Sequence, residues 1–380
     1  MPTTAIAFDR VSNYYSAFVN RNINRPDLLD VEFPQIRQIF TWFSSLKDPR
    51  FLQLVIDLSS YLETRSLYSV LLNYCRTGLQ IAGMHNANPG RLLILTSEAY
   101  FSLGKWERAF SSIKDAITLT KNDDPPAYAQ ATLALGRLQI NKGEYRSALQ
   151  TLKTAEELLS ALSDIEGVAA AKSEVAAYLL VRGEYQQSLQ QYLEIDAMLR
   201  QQNERVNHAT FMLGVVYRRL KQYSLALHYL KEAFEHSRMQ NNRNGMAMAL
   251  HHLAWVYYDQ HKWAKAKQLG IQAKSIYCEI ENPRGDSDAD EQLGLIAFHE
   301  KDFKSAVFCL EQALSTRLRL GNQPGAASTM RRLARIYLRN RNIIAGFRYL
   351  LRSFLLYYRM KMLSRQRLLR IFKSPFTDTL

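Results

Sequence analysis

The 380-residue chain repeats itself with a period near 40, and a period of that length is open to only a few architectures. Leu213-Gly214, Tyr217, Tyr223 and Ala226 recur as Leu253-Ala254, Tyr257, Trp263 and Ala266. They return as Leu293-Gly294, Ala297, Phe303 and Ala306, and again as Leu333-Ala334, Tyr337, Ile343 and Gly346. Each step is 40 residues. Earlier in the chain Tyr185 with Ser188, Tyr145 with Ala148 and Trp106 with Ala109 keep the register of the second anchor, at intervals of 38, 40 and 39. Tyr68 stands 38 residues before Trp106 and marks a degenerate first copy in which Leu71 replaces the small residue.

Within a unit the apolar residues fall at i, i+3, i+4 and i+7, as in Leu213, Val216, Tyr217 and Leu220, which is the stripe of an amphipathic helix. Two such stripes fit each unit. The break between them is short and polar (Lys105, Gly143, Gly183, Lys221-Gln222, His261-Lys262, Lys301-Asp302), which leaves room only for an antiparallel helix pair. Turn-forming clusters separate the units, as at Asn122 to Pro126 and Glu281 to Asp286. One helix pair cannot bury its own apolar face, so successive pairs must stack. The expected fold is all-α: a right-handed superhelical solenoid of about eight antiparallel helix pairs over 50–360, preceded by a helical flank (1–49) and followed by a basic capping helix and tail (361–380).

The spacing Leu-Gly-x-x-Tyr, then Tyr and Ala, resembles the tetratricopeptide (TPR) repeat family in its longer variant of about 40 residues. That resemblance implies a groove, lined by the first helix of each pair, for a peptide or a partner protein. The flank carries a narrower likeness. Arg10-Val11 to Phe18, then Asp30-Val31-Glu32-Phe33-Pro34-Gln35-Ile36-Arg37 up to Trp42, then Leu62-Glu63-Thr64-Arg65-Ser66-Leu67-Tyr68, resembles the stretch that opens the TPR sensor region of bacterial STAND-class signal-transduction NTPases. These 380 residues contain no Gly-x-x-x-x-Gly-Lys-Ser/Thr, so no ATPase activity is expected of them.

Composition narrows the rest. Three cysteines, Cys75, Cys278 and Cys309, lie far apart and match no metal spacing, so they are read as small core residues in a reducing compartment. The first residues lack a basic segment followed by an apolar run, and no stretch is long and apolar enough to span a membrane, so the expected location is the cytoplasm, with no membrane partner. No cofactor or metal is expected. Asp286, Asp288, Asp290 and Glu291 imitate the start of an EF-hand loop, but its sixth and twelfth positions hold Glu291 and Ala297 rather than Gly and Glu. An acidic helix N-terminus offsetting the macrodipole is the better account. His251-His252 form no zinc-protease motif and no nucleophile elbow is present, so the chain is not read as an enzyme.

Two surfaces remain as functional candidates. If Leu213, Leu253, Leu293 and Leu333 face the partner helix, residues two before, two after and five after each point to the concave side. These are Phe211, Val215 and Arg218; His251, Trp255 and Tyr258; Glu291, Leu295 and Phe298; Arg331, Arg335 and Leu338. Aromatic anchors beside arginines suit a peptide or protein ligand, whereas packing of Trp255 and Tyr258 against the next unit is the competing account. The Lys and paired Asn of a co-chaperone carboxylate clamp are absent at these positions. The second surface is the basic end. Formal net charge is +14, and residues 312–380 hold fifteen Lys and Arg against the single acid Asp378, so residues 1–311 are neutral in sum. Arg341, Arg348, Arg352 and Arg359 share a helix face, and Arg331, Arg335 and Arg339 form another row. That patch suits nucleic acid, an acidic protein surface, or a polar end cap to the array. The reading is a scaffold, sensor or adaptor in a bacterial signalling, regulatory or defence system, possible partners including a separate NTPase or effector subunit; the alternative is a nucleic-acid-associated protein.

Overall fold

The computed structural model describes residues 2–22, 26–65, 67–201 and 208–359, and among these every regular element is an α-helix. They fall into two compact units, Met1–Gln222 with Glu235–Arg243, and Tyr223–Phe234 with Asn244–Leu380. The first unit opens with α1 (Pro2–Arg21) and α2 (Pro26–Leu46). Four pairs follow: α3 (Arg50–Thr64) with α4 (Tyr68–His85), α5 (Gly90–Ser102) with α6 (Trp106–Thr120), α7 (Pro125–Lys142) with α8 (Tyr145–Ala161), and α9 (Ile165–Arg182) with α10 (Tyr185–Arg200). It also contains α11 (His208–Arg219) and the end of α12 (Tyr223–Met239). The second unit holds the start of α12 and three pairs: α13 (Arg243–Asp259) with α14 (Trp263–Glu279), α15 (Pro283–His299) with α16 (Phe303–Arg319), and α17 (Gln323–Arg339) with α18 (Ile343–Arg359). The capping helix expected over 361–380 lies outside the described residues.

Each second helix begins on the anchor residue of the repeat: Tyr68, Trp106, Tyr145, Tyr185, Tyr223, Trp263, Phe303 and Ile343. The cause is the turn before it. The residue two before the anchor adopts a left-handed conformation in seven of these turns, at Gly104, Gly143, Gly183, Lys221, His261, Lys301 and Arg341. First helices start where a short polar side chain can cap them: Asp124, Asp164, Asn282 and Asn322 each accept the backbone N–H three residues on.

Small residues let the paired helices approach. A Cβ on Gly136 would meet Leu152 at 2.6 Å, and one on Gly294 would meet the Ala306 carbonyl at 3.1 Å. Where Ser stands in the small position it bonds across the pair, Ser97 Oγ to the Ala109 carbonyl (2.9 Å) and Ser188 Oγ to the Ala176 carbonyl (2.8 Å). The flank joins the same core. Val19, Leu29, Ile36, Phe40 and Phe43 pack with Phe51, Leu54, Leu58 and Cys75 of the first pair. Asp30 accepts from Tyr61 Oη (2.9 Å) and from Arg65, so two segments of the STAND-like stretch meet in an ion pair. Of the cysteines only Cys75 is a core residue; Cys278 is exposed, 3.3 Å from an Asp286 oxygen, and Cys309 is half-buried, which corrects the expectation that all three fill the interior. No helix among the described residues is long and apolar enough to cross a membrane.

Candidate functional site

A cavity of about 450 Å3 lies between the first helices α3, α5, α7 and α9 of the first unit. It is lined by Ile56, Ser59, Ser60 and Glu63; Arg91, Ile94, Leu95 and Glu98; Gln130, Leu133, Ala134 and Arg137; and Ala170 and Glu174. Its position follows from the repeat. The residue ten before each anchor turns to the partner helix, and positions two before it (Ile56, Ile94, Leu133), two after it (Ser60, Glu98, Arg137) and five after it (Glu63) reach the cavity wall. From Leu213 onwards the same offsets mark the inner-face positions of the later repeats, so half of the lining follows from helix geometry. Ser59, Arg91, Leu95, Gln130, Ala134, Ala170 and Glu174 follow none of these offsets and needed the structure.

The polar side chains of the cavity are unequal in charge. Arg137 donates to Glu98 at 2.7 Å and its guanidinium lies 5.2 Å from the Phe101 ring centroid. Arg91 is turned outward onto Asp124, with Nε at 2.7 Å from one carboxylate oxygen and Nη2 at 3.1 Å from the other. Glu63 and Glu174 are left without a cation of their own. Burial, and then the neighbouring Glu98, push the Glu63 carboxyl up to about 8 against the opposing pull of Arg137. Burial also raises Glu174, with Arg137 opposing. Apolar walls from Ile56, Ile94 and Leu133 surround these groups, the composition of a site that takes a ligand with a charged end and an apolar body.

The residues singled out in the sequence lie elsewhere. Phe211, Val215 and Arg218 sit on α11 in the first unit, all buried. In the second unit, His251 and Tyr258 are buried and Trp255 is half-buried. Trp255 donates its indole N–H to His251 Nε2 (3.0 Å) and meets Tyr258 edge-on at 5.1 Å. Tyr258 packs in one cluster with Leu295 and Ile296 of α15, and Trp263 stacks on His299 at 4.5 Å. Phe298 belongs to the neighbouring cluster with Met330 and Leu333 of α17. Arg335 is buried, whereas Arg331 and Leu338 are half-buried.

Glu291 is the centre of a closed set. It accepts from Arg317 (2.7 Å) and from Thr329 (2.9 Å) and lies 2.8 Å from Arg332. Burial pulls its carboxyl upward, but Arg332 and Arg317 outweigh this and hold it below the ordinary range. The other acids of α15 are likewise engaged, Asp288 with Arg317 (2.6 Å) and Asp290 with Lys274, so the EF-hand-like string is dispersed onto different partners. Among the described residues no group of three or more His, Cys, Asp or Glu is placed to hold a metal ion.

The basic residues are divided between two helices. Arg339 lies at the end of α17, its guanidinium 5.8 Å from the Phe298 ring centroid, and Arg341 occupies the left-handed turn that follows. Arg348 and Arg352 are exposed on α18, interleaved with exposed Ile344, Phe347, Leu351 and Leu355. The side chain of Arg359 lies outside the described residues.

The tetratricopeptide repeat family profile matches residues 205–279. No curated protein matches the chain in sequence. Among solved structures, a Rap protein complexed with Competence and Sporulation Factor is similar over 92% of this chain and 98% of its own, with a TM-score of 0.65 and 13% identity. A STAND protein with a tetratricopeptide repeat sensor from Pyrococcus horikoshii is similar over 86% of this chain, at a TM-score of 0.53 and 14% identity. The APC/C hetero-tetramer Cut9-Hcn1 is similar over 91%, at 0.56 and 16%. The chain spans only 53% of the STAND protein and 60% of the Cut9-Hcn1 chain. At these identities the likeness is one of fold. The chain is thus an all-α array of tetratricopeptide-type helix pairs, in which residues 205–279 carry the family's own sequence pattern.

Proposed function

We propose that this protein is a non-enzymatic scaffold that holds a peptide or a segment of a partner protein against the first helices of its pairs, as a sensor or adaptor in a bacterial signalling, regulatory or defence system. The cavity of α3, α5, α7 and α9 carries the reading: it opens on the first helices, as a TPR groove does, and combines apolar walls with unmatched carboxylates. The aromatic and arginine positions from Phe211 to Arg335 are read as supports that fix the first helices, with Arg331 and Trp255 the half-buried members best placed to extend a binding surface. Support for the sensor role comes from the STAND-like flank and from the fold shared with a STAND sensor and a Rap protein. A separate NTPase or effector subunit is the expected downstream partner, and the cytoplasm the expected location. The nucleic-acid alternative draws no support from α18, where apolar side chains interrupt the arginines.

Affinity capture from the native cells tests this, comparing wild type with Ser60→Trp and Ala170→Trp, two exposed positions on the cavity wall. The expected result is a stoichiometric, nuclease-resistant protein or peptide that both substitutions release while helicity and thermal unfolding stay unchanged. Capture that survives both substitutions would overturn the reading, as would capture lost to nuclease and to Arg348→Glu with Arg352→Glu.

A further inference from the structure

The charge balance of the first-unit cavity is not closed from within. Three carboxylates, Glu63, Glu98 and Glu174, share one guanidinium, Arg137, because Arg91 is occupied by Asp124. A closed ion network elsewhere in the same protein shows what balance looks like: Glu291 and Asp288 are met by Arg317 and Arg332. In the cavity the excess is relieved by a proton instead. Glu63 on α3 faces Glu98 on α5, Arg137 on α7 and Cys75 on α4, and the neutral Glu63 carboxyl leans on Glu98. Cys75 cannot contribute a charge, since burial pushes its thiol up to about 12. Half-buried acids crowded around one guanidinium, of which one holds a proton, are acids that a further cation would ionise.

The size of that cation is constrained. The carboxylates are not grouped closely enough to coordinate a metal ion. The space is some 450 Å3, far more than one ion needs, and its walls include Ile56, Ile94 and Leu133. An organic cation on an apolar stem suits it. In addition, Arg137 Nε–H is shut off from solvent without an acceptor, so the guanidinium is not fully satisfied by Glu98.

Resting on the peptide-binding reading above, we propose that the cavity takes the guanidinium or ammonium group of a basic side chain from the bound peptide, and that Glu63 releases a proton as this group enters. The incoming cation supplies the charge that the proton supplied before, so binding and deprotonation are linked. Affinity then rises with pH up to about 8, the value to which Glu63 is lifted in the empty site, by at most roughly tenfold per unit. Above it the gain levels off.

A phage-displayed random heptapeptide library, selected on full-length protein and counter-selected on the Ala170→Trp and Ser60→Trp variants, separates the possibilities. The expected outcome is a wild-type-specific heptamer with Arg or Lys at one fixed position. Replacing that residue by citrulline or norleucine should weaken binding roughly 10–100-fold. Its affinity should tighten from pH 6.5 to 8.5 in wild type, while Glu63→Gln binds more weakly and with no pH dependence in that window. Wild-type-specific heptamers without a basic residue, or a citrulline peptide of equal affinity, would overturn the cation assignment and leave the groove reading intact. An affinity that is flat with pH in wild type would overturn the proton linkage. If no heptamer distinguishes wild type from both blocked variants, the groove reading falls as well.

Discussion

The inner faces of the two units are built from the same positions of the same repeat and come to opposite ends. On α3, α5 and α7 of the first unit the positions flanking the interface residue carry Ile, Ser, Glu, Leu and Arg, and these line open space. In the second unit the equivalent positions carry His, Trp, Tyr, Leu and Phe beside Glu291, Arg331 and Arg335, and the rings meet one another and the next helix. Charge follows volume. Glu98 and Arg137 form a half-exposed pair beside a cavity, whereas Glu291 is buried and shared among three partners. A repeat register therefore places a side chain without deciding whether the site is filled; the sizes of the side chains at those offsets decide that.

The largest expected effect breaks the comparison at its charged centres. Glu291→Ala leaves the buried Arg317 with Asp288 alone of its two carboxylates and takes the carboxylate from Arg332, and should cost about 3–5 kcal/mol of second-unit stability. Glu98→Ala, at a pair roughly a third exposed on each side, should cost less than about 1 kcal/mol. Urea unfolding followed by hydrogen exchange of α15 to α17 and of α5 to α7 separates the two; equal losses would mean that the cavity is as closed as the network. The contrast has a pH signature as well. Glu291 is held below its unfolded value, so its contribution is present above about pH 4 and is lost as pH falls through the folded value. Glu63 is raised, so the first unit is favoured below about pH 4 and loses that contribution as pH rises towards 8. Protection factors, exchange corrected for its intrinsic pH dependence, measured at pH 3.5, 6 and 8.5 should rise with pH for α15 and fall with pH for α3, and Glu63→Gln should remove the alkaline loss.

Next in size is overpacking. Ala266 is fully buried on α14, and Ala266→Leu should destabilise the second unit by about 1–3 kcal/mol. Ala170 lies exposed on the cavity wall, so Ala170→Leu should change stability by no more than about 0.5 kcal/mol. Thermal unfolding of both variants reads the difference directly. A cost at Ala170 as large as that at Ala266 would indicate that the cavity wall cannot accommodate added volume.

How far the sequence could be read divides along the same line. Helix pairs, their turns and the anchor register depend on local chemistry and on the 40-residue period, and Tyr223, Trp263, Phe303 and Ile343 begin helices where that period places them. The offsets to the inner face were also legible, since helix geometry fixes them. What the sequence did not display was occupancy. Trp255 beside Tyr258 reads equally well as a lining or as a packed pair until the distance to α15 is known, and a lone Glu63 or Glu174 has no signal of its own in a chain with 35 acids. Their meaning comes from four helices converging, a relation between units of the repeat that the pattern within one unit does not contain.

The smallest effect concerns the turns, where the two halves of the array differ again. The left-handed residue before the second helix is glycine at 104, 143 and 183, but Lys221, His261, Lys301 and Arg341 occupy it later, with φ between 59° and 64°. A residue with a Cβ costs roughly 1–2 kcal/mol in that conformation, whereas glycine brings about 0.5–1 kcal/mol of extra chain entropy to be lost on folding. Lys301→Gly should therefore stabilise its pair by about 0.5–1 kcal/mol, and Gly143→Ala should destabilise its own by roughly 1 kcal/mol, both read as shifts in urea midpoint at unchanged slope. If Lys301→Gly were neutral or destabilising, the later turns would owe their shape to contacts of the lysine side chain rather than to the helix-pair geometry. The difference between early and late turns would then reflect a requirement for charge at that end, not a tolerated strain.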